Sequence, residues 1–397
     1  MTVHVDFGVF DADNHYYEAE DAFTRHLDPT MRKRCMQWAE INGRKRLLVA
    51  GRINRFIPNP TWDPIARPGA LDDYFRGKNT GGQDVKTMFG ELDPLAEHPE
   101  YQNRDARLSV MDDQGVDGAY FFPTLGVGMQ QSLSHDIDAI HAAFHAFNQW
   151  LDDDWGFAYQ DRIFAAPMIS LADPEQGAAE VEWALDRGAK LVVMVPGPVP
   201  TEDGGSLSPG MEKYDPVWSR LNEAGITVGI HGGDGGTSAY VNWWEPMGEM
   251  EAFRSTPFRQ IISHERQIAD TFTALVCHGL FDRHPALRVA SIENGGSFIP
   301  KLLEEFDMCF GKMPQAFSEH PADTFKRHVW VSPYYEDDID LLKEHLTADH
   351  LLFGSDYPHA EGLAEPTAFI HDIPDFSPDE VRRVMRDNAL GLLQPAG

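Results

Sequence analysis

The sequence predicts an α/β fold, a (β/α)8 TIM barrel with a cap insertion after the first strand, and three observations carry that expectation. From about residue 105 onward, apolar strand-like runs alternate with helix-like runs, the pattern of a parallel sheet. With the N-terminal run, the strand candidates reach the eight at which such a sheet closes on itself. The first and last of them also run into metal-binding side chains: Asp13 and His15 end the run Val9-Phe10-Asp11-Ala12-Asp13-Asn14-His15, and Asp356 ends Leu351-Leu352-Phe353-Gly354-Ser355-Asp356. Groups at opposite ends of the chain meet at one point only if the sheet closes.

Each element has its own reason. Asp13 and His15 are two residues apart, so in a strand they project from one face with Cα atoms roughly 6.6 Å apart, a chelating geometry. The following strands are expected at Val116–Thr124, Ile163–Leu171, Lys190–Val195, Ile226–His231, Leu287–Glu293, His328–Tyr334 and Leu351–Asp356, the last stopped by Pro358. Apolar residues at helical spacing predict helices over Ile137–Trp150, Glu175–Arg187, Pro216–Ala224 and Gln267–Phe281. Pro378-Asp379-Glu380 opens a final helix through Leu393. Residues 28–103 break the alternation with an Asn42-Gly43 turn, a proline-rich Ile57-Pro58-Asn59-Pro60 and a Gly81-Gly82 loop. Within a single domain spanning 1–397, this segment is expected to be a cap or lid at the C-terminal face, or else an oligomerisation arm.

Charge and cysteine usage narrow the function class. Lys plus Arg total 33 against 63 Asp plus Glu, a formal net charge of −30, which repels phosphate backbones and anionic membrane surfaces, so no nucleic-acid or membrane partner is expected. Cys35, Cys277 and Cys309 are widely spaced and form no CxxC, which suits a reducing, cytoplasmic setting. No apolar stretch approaches the ~18 residues of a membrane span, and the N-terminus does not read as a signal peptide.

Taken one at a time, the candidate residues have bland readings as well. Asp356 suits a helix N-cap, and His15 and His231 suit hydrogen-bonded loop positions. His141 and His145 have i, i+4 spacing but lack the Glu of a metalloprotease helix, so packing is the favoured reading. His278 precedes Gly279 where imidazole caps a helix end. Gly232-Gly233-Asp234-Gly235-Gly236 lacks the Lys and hydroxyl of a phosphate loop and reads as a flexible barrel loop.

Asp11-Ala12-Asp13-Asn14-His15, Gly229-Ile230-His231-Gly232-Gly233, Leu280-Phe281-Asp282-Arg283-His284-Pro285 and Gly354-Ser355-Asp356-Tyr357-Pro358-His359 together resemble the amidohydrolase superfamily. The resemblance is to its amidohydrolase 2 branch, which contains aminocarboxymuconate-semialdehyde decarboxylase and related aromatic-acid decarboxylases, and it runs from Val9 to the C-terminal helix apart from the cap. It implies one divalent metal at the barrel mouth, held by Asp13 and His15 from the first strand, His231 from the fifth and Asp356 from the eighth. Asp13 stands where the branch often has His; the harder ligand set points to zinc or manganese. A homodimer or higher homo-oligomer is the family-like expectation. One departure bears on mechanism: the sixth strand of the decarboxylases ends in a His, whereas Ala290-Ser291-Ile292-Glu293 places Glu293 there, either to move protons or to support His231.

Three functions follow. In metal-dependent hydrolysis, water acidified by the metal gives its proton to Asp356 and attacks an amide, lactone or related carbonyl of a small substrate. In non-oxidative decarboxylation of a small aromatic or unsaturated acid, Asp356 or Glu293 manages the proton at carbon. The third, a ligand-binding barrel without catalysis, is opposed by the intact Asp13, His15, His231 and Asp356. Glu293 tips the balance between the first two toward hydrolysis. The strand-end aromatics Tyr16, Tyr17, Phe121, Phe122, Trp243, Trp244, Tyr334 and Tyr335 suit an aromatic pocket. Arg52 and Arg55 are candidates to clamp a substrate carboxylate, and Tyr334 and His359 to line the site.

Overall fold

The N-terminal run forms the first barrel strand, Val9–Tyr16, with every residue buried, in a computed structural model that describes residues 5–246, 248, 250–263 and 265–396. Six further parallel strands follow: Val116–Pro123, Ile163–Ala165, Leu191–Met194, Thr227–His231, Arg288–Ile292 and Val329–Val331. The first pairs with the second and the second with the third; the fourth, fifth, sixth and seventh pair in sequence. Closure falls to shorter contacts. Between the third and fourth strands, Val193 N–H donates to Pro167 O and Ile169 N–H to Val193 O, both at 2.9 Å.

The eighth position departs from the expected strand Leu351–Asp356: it has only isolated bridges, Val331 with Leu351 and Asn14 with Tyr357. Its backbone still closes the barrel, because Leu352 N–H donates to Val331 O while Ala12 N–H donates to Phe353 O and Asp356 N–H to Asp13 O, all at 2.8 Å. Asp356 itself has φ +55°, in the left-handed region, and this interrupts a regular ladder. The third strand is likewise shorter than the expected Ile163–Leu171, since Pro167 has no N–H to give to a neighbour.

Helices over Ile137–Asp154, Pro174–Leu185, Asp215–Ala224 and Arg266–Cys277 lie close to their predicted ranges. Asp136 and Asp173 cap the first two by accepting backbone N–H groups. The predicted Gln267–Phe281 helix ends earlier, at Cys277, because Gly279 turns the chain at φ +66°. The even-numbered face of the first strand packs outward: Tyr16 meets Phe147, Trp150 and Trp155. Asp13 and His15 face the other way, and a register shift between Asp11 and Asn14 lets the side chains of Asp11 and Asn14 meet. Among the described residues no helix is long and apolar enough to cross a membrane.

Two excursions leave the strand ends. The hairpin strands Met36–Ile41 and Arg44–Val49 turn at Asn42 and Gly43, both at positive φ, and Arg52–Ile53 adds a third strand. The second excursion, residues 232–265 after the fifth strand, carries the short helices Thr237–Asn242 and Pro257–Ser263. The sequence predicts a loop at its start but not its extent. The two excursions meet where Ala252 N–H donates to Phe56 O at 2.8 Å.

Candidate active site

Barrel closure brings Asp13, His15, His231, Glu293 and Asp356 to one point. His15 Nε2 lies 3.3 Å from each of Asp13 Oδ1, Glu293 Oε2, Asp356 Oδ1 and His231 Nε2. His231 Nε2 lies 3.2 Å from Glu293 Oε2 and 3.6 Å from Asp13 Oδ1. Donors about 2.1 Å from a common ion are ~3.0 Å apart at a right angle and ~3.4 Å at the tetrahedral angle, so these separations are those of a coordination shell. Two sets, Asp13–His15–His231–Glu293 and His15–Glu293–Asp356–His359, each keep their candidate donor atoms within 4.8 Å of one another.

Hydrogen bonding supports the same fit. Asp13 Oδ1, Asp356 Oδ1 and His359 Nδ1 are buried and make no hydrogen bond, although His359 Nδ1 sits 2.5 Å from Asp356 Oδ1 in a misaligned contact. Buried carboxylate oxygens without donors are costly, and a cation at their common point would satisfy them. His231 Nδ1 lies 2.9 Å from Gly232 O; as donor in that bond it leaves the Nε2 lone pair directed at the cluster. These residues therefore fit a single divalent ion.

The electrostatics describe a site built for positive charge. Burial drives the Asp356 carboxyl well above its usual range, and the charges of Glu293, Glu361 and Asp13 push the same way. Burial and Glu293 raise Glu361 to about 8. Burial acts to lower His15, but the adjacent carboxylates of Asp13 and Glu293 prevail and raise it to about 9. Asp13 is also opposed by burial, yet His15 and His231 bring it below the ordinary carboxylate value. His359 is held well below the usual imidazole range by burial and by the charges of His15 and His231.

A second ring of contacts fixes the geometry. Asp11 accepts from Asp13 N–H at 3.1 Å, Asn14 Nδ2 at 3.0 Å and Ser355 N–H at 2.9 Å, tying the first strand to the residue before Asp356. Asn14 Oδ1 accepts from the fully buried Arg107 at 2.5 Å. Tyr334 donates its hydroxyl to Glu293 O at 3.0 Å. Glu293 has φ +52°, so both Glu293 and Asp356 are held in a sparsely populated backbone region, as happens where surrounding structure fixes a functional group. Gly354 is required by closeness: a Cβ there would meet Ser332 Oγ and Asp13 Cβ.

A cavity of about 390 Å³ opens over the cluster, lined by His15, His231, Glu293, Tyr334 and His359. Phe56, Ile57, Tyr74, Phe75 and Val85 from the first excursion and Val241, Met250, Phe253 and Arg259 from the second form its walls. Arg52 and Arg55 stand outside: both are exposed and neither lines the cavity, since the chain turns Asn54 and Phe56 inward and the arginines outward. Trp243 and Trp244 are exposed as well. His141 accepts Asp173 N–H, His145 pairs with Glu180 and His278 meets Ser208 Oγ, so all three are spent on packing and capping. Asp11, Glu361 and Arg259 were not anticipated; Asp11 had a signal, its two-residue offset from Asp13, whereas Glu361 and Arg259 had none.

Comparison with known proteins bears on the family and the fold. A family model described as amidohydrolase matches residues 11–394. An amidohydrolase from Mycobacterium avium subsp. paratuberculosis is 45% identical, covering 98% of this chain and 100% of that one, with a TM-score of 0.93. A dihydroxybenzoic acid decarboxylase from Polaromonas, solved with manganese and 2-nitroresorcinol, shares the fold at 17% identity and a TM-score of 0.60, over 82% of this chain and 92% of that one. A 5-carboxyvanillate decarboxylase from Novosphingobium aromaticivorans with bound manganese does so at 16% identity and 0.59, over 98% and 96%.

Proposed function

The chain belongs to the amidohydrolase family, whose chemistry is hydrolysis or carboxy-lysis, and from that premise we propose a metal-dependent hydrolase of a small carboxylated or aromatic substrate. Asp13, His15, His231 and Asp356 hold one divalent ion in this reading, zinc or manganese, with Glu293 as a further donor. The observation that carries it is the cluster spacing of 3.2 to 3.6 Å around His15 and His231, together with the unpaired Asp13 and Asp356 oxygens. When bound, the ion supplies Lewis acidity to a substrate oxygen and acidifies water. Asp356 accepts the proton of the attacking water, and Thr124, whose Oγ lies 3.0 Å from His359 Nε2, helps fix the His359 ring beside it. Glu293, pinned through its carbonyl by Tyr334, shares the anionic wall and relays the proton that Asp356 has accepted to the leaving group. Residues 28–103 act as the cap: their Phe56, Ile57, Tyr74, Phe75 and Val85 shield the cavity from water.

Decarboxylation of an aromatic acid is the second reading. The aromatic cavity wall and the two decarboxylases of like fold favour it, and Glu293 then delivers the proton to carbon. Elemental analysis of protein purified without chelator should give about one divalent ion per chain, lost in His15→Ala. Trapping carbon dioxide during turnover separates the readings; a protein that binds no metal sinks both.

A further inference from the structure

Arg259 lies on the helix Pro257–Ser263 of the second excursion, away from the strand ends that carry the cluster, yet it lines the same cavity. It is only 8% exposed. Among the described residues the hydrogen bonds of its guanidinium all leave from Nη2, to Asn242 Oδ1 at 2.9 Å and Glu245 O at 3.3 Å. Its Nε is buried without a hydrogen bond. The carboxylate oxygen paired with it, Glu245 Oε2, is 3.9 Å away, beyond hydrogen-bond range, and accepts instead from Thr256 Oγ at 2.7 Å. A guanidinium taken out of water normally has its donors filled, because an unfilled buried donor is costly. Here a cation nine-tenths buried keeps an unfilled Nε in the wall of a cavity.

The surroundings choose the ligand. Val241, Met250 and Phe253 line the same cavity with apolar surface, and Phe56 adds to it from the other excursion. The cavity's second arginine, Arg254, is already paired with Glu251 at 2.9 Å. Glu265 and Glu293 add anionic wall, and the chain as a whole carries a formal charge of −30. One available guanidinium among so much negative charge balances a single charge, which favours a carboxylate over a phosphate.

Resting on the active-site reading above, we infer that Arg259 is the receptor for a carboxylate that the substrate keeps through the reaction. The substrate is then an apolar or aromatic body with one spectator carboxylate, bound at the second excursion while the reacting group lies at the strand ends. In the decarboxylation reading the same geometry requires a dicarboxylic acid. Arg259 also stitches Asn242 to Glu245, so stability alone does not test the assignment.

The test uses 3-phenylpropionate and its neutral amide as probes, with affinities measured by calorimetry on zinc-loaded wild type, Arg259→Met and Arg259→Lys. The zinc contribution is common to the proteins, so the comparison is the acid-to-amide preference. It should fall about tenfold or more in Arg259→Met, the scale of a hydrogen bond to a charged group, and by less in Arg259→Lys, which keeps the charge without the planar fork. Should Arg259→Met fail to fold, zinc-stripped wild type decides: a tenfold preference for the acid must survive removal of the metal. Equal or undetectable binding of acid and amide to the stripped protein, or an unchanged preference in Arg259→Met, overturns the inference. One ion per chain without an Arg259-dependent preference leaves the metal reading standing; such a preference in a chain that takes up no metal does the reverse.

Discussion

Asp356→Asn should reverse its effect on stability when metal is added. In stripped protein, the Asp356 carboxyl is pushed well above 3.8 by burial and by Glu293, Glu361 and Asp13. A raised carboxyl pKa means the folded state binds protons more tightly than the unfolded one. The penalty is therefore absent below about pH 3.8, where both states are protonated, and grows as pH rises. Asparagine removes it, so at pH 7 in chelator the variant should melt no lower than wild type. With metal the order changes. At a free concentration 100 times Kd, a ligand specific to the folded state adds about 2.7 kcal/mol. Unfolding entropy of about 2.1 cal/mol/K per residue, over 397 residues, is ~0.8 kcal/mol/K, so saturation should raise the wild-type Tm by roughly 3 °C. Each tenfold loss of affinity in the variant removes ~1.4 kcal/mol, or about 2 °C of that gain. Turnover of whichever ester, lactone or amide the wild type processes should drop ~10²-fold or more, the scale of general acid-base catalysis. Differential scanning fluorimetry with and without zinc or manganese, beside a rate assay, reads all three effects. A variant that melts several degrees below wild type in chelator, or retains near-full activity, refutes the reasoning.

Three further outcomes are expected. Glu18 is raised from 4.5 to about 7 by burial, against N–H bonds from Leu125 and Gly126; its penalty is absent below about pH 4.5 and complete above about 7, so Glu18→Gln should gain stability relative to wild type by about 3 kcal/mol across that window in urea unfolding, and a pH-independent difference contradicts this. Gly354→Ala drives a Cβ into Ser332 Oγ and Asp13 Cβ, so it should cost about 1–3 kcal/mol and weaken metal uptake in the same preparation; unchanged uptake would detach Asp13 from the metal. Tyr334→Phe removes the bond to Glu293 O and should cost about 1 kcal/mol while elemental analysis still finds about one ion per chain.

Barrel periodicity and the ends of its strands were legible in the sequence because both are local. Alternating apolar runs set the strands, Asp136 and Asp173 mark helix starts, and an acid two residues before His15 declares one face of one strand. Asp13, His15 and Asp356 therefore stood out at strand ends, His231 stood out only through the family resemblance, and a closed sheet was the geometry able to bring them together. Other features depended on contacts between segments far apart in sequence. The eighth position makes its backbone bonds to both neighbours without regular strand geometry, since Asp356 turns to positive φ between Asp13 and Gly362. Glu293 joins the cluster because closure puts its Oε2 within 3.3 Å of both His15 and His231, a distance that sequence spacing does not encode. Arg52 and Arg55 looked suited to an anion but remain in solvent, whereas Arg259, unmarked in its local sequence, is buried in the cavity wall. Residue type and periodicity set which groups stand at strand ends; only the packing of the two excursions decided which cation faces the site, because burial and donor satisfaction are properties of the assembled chain.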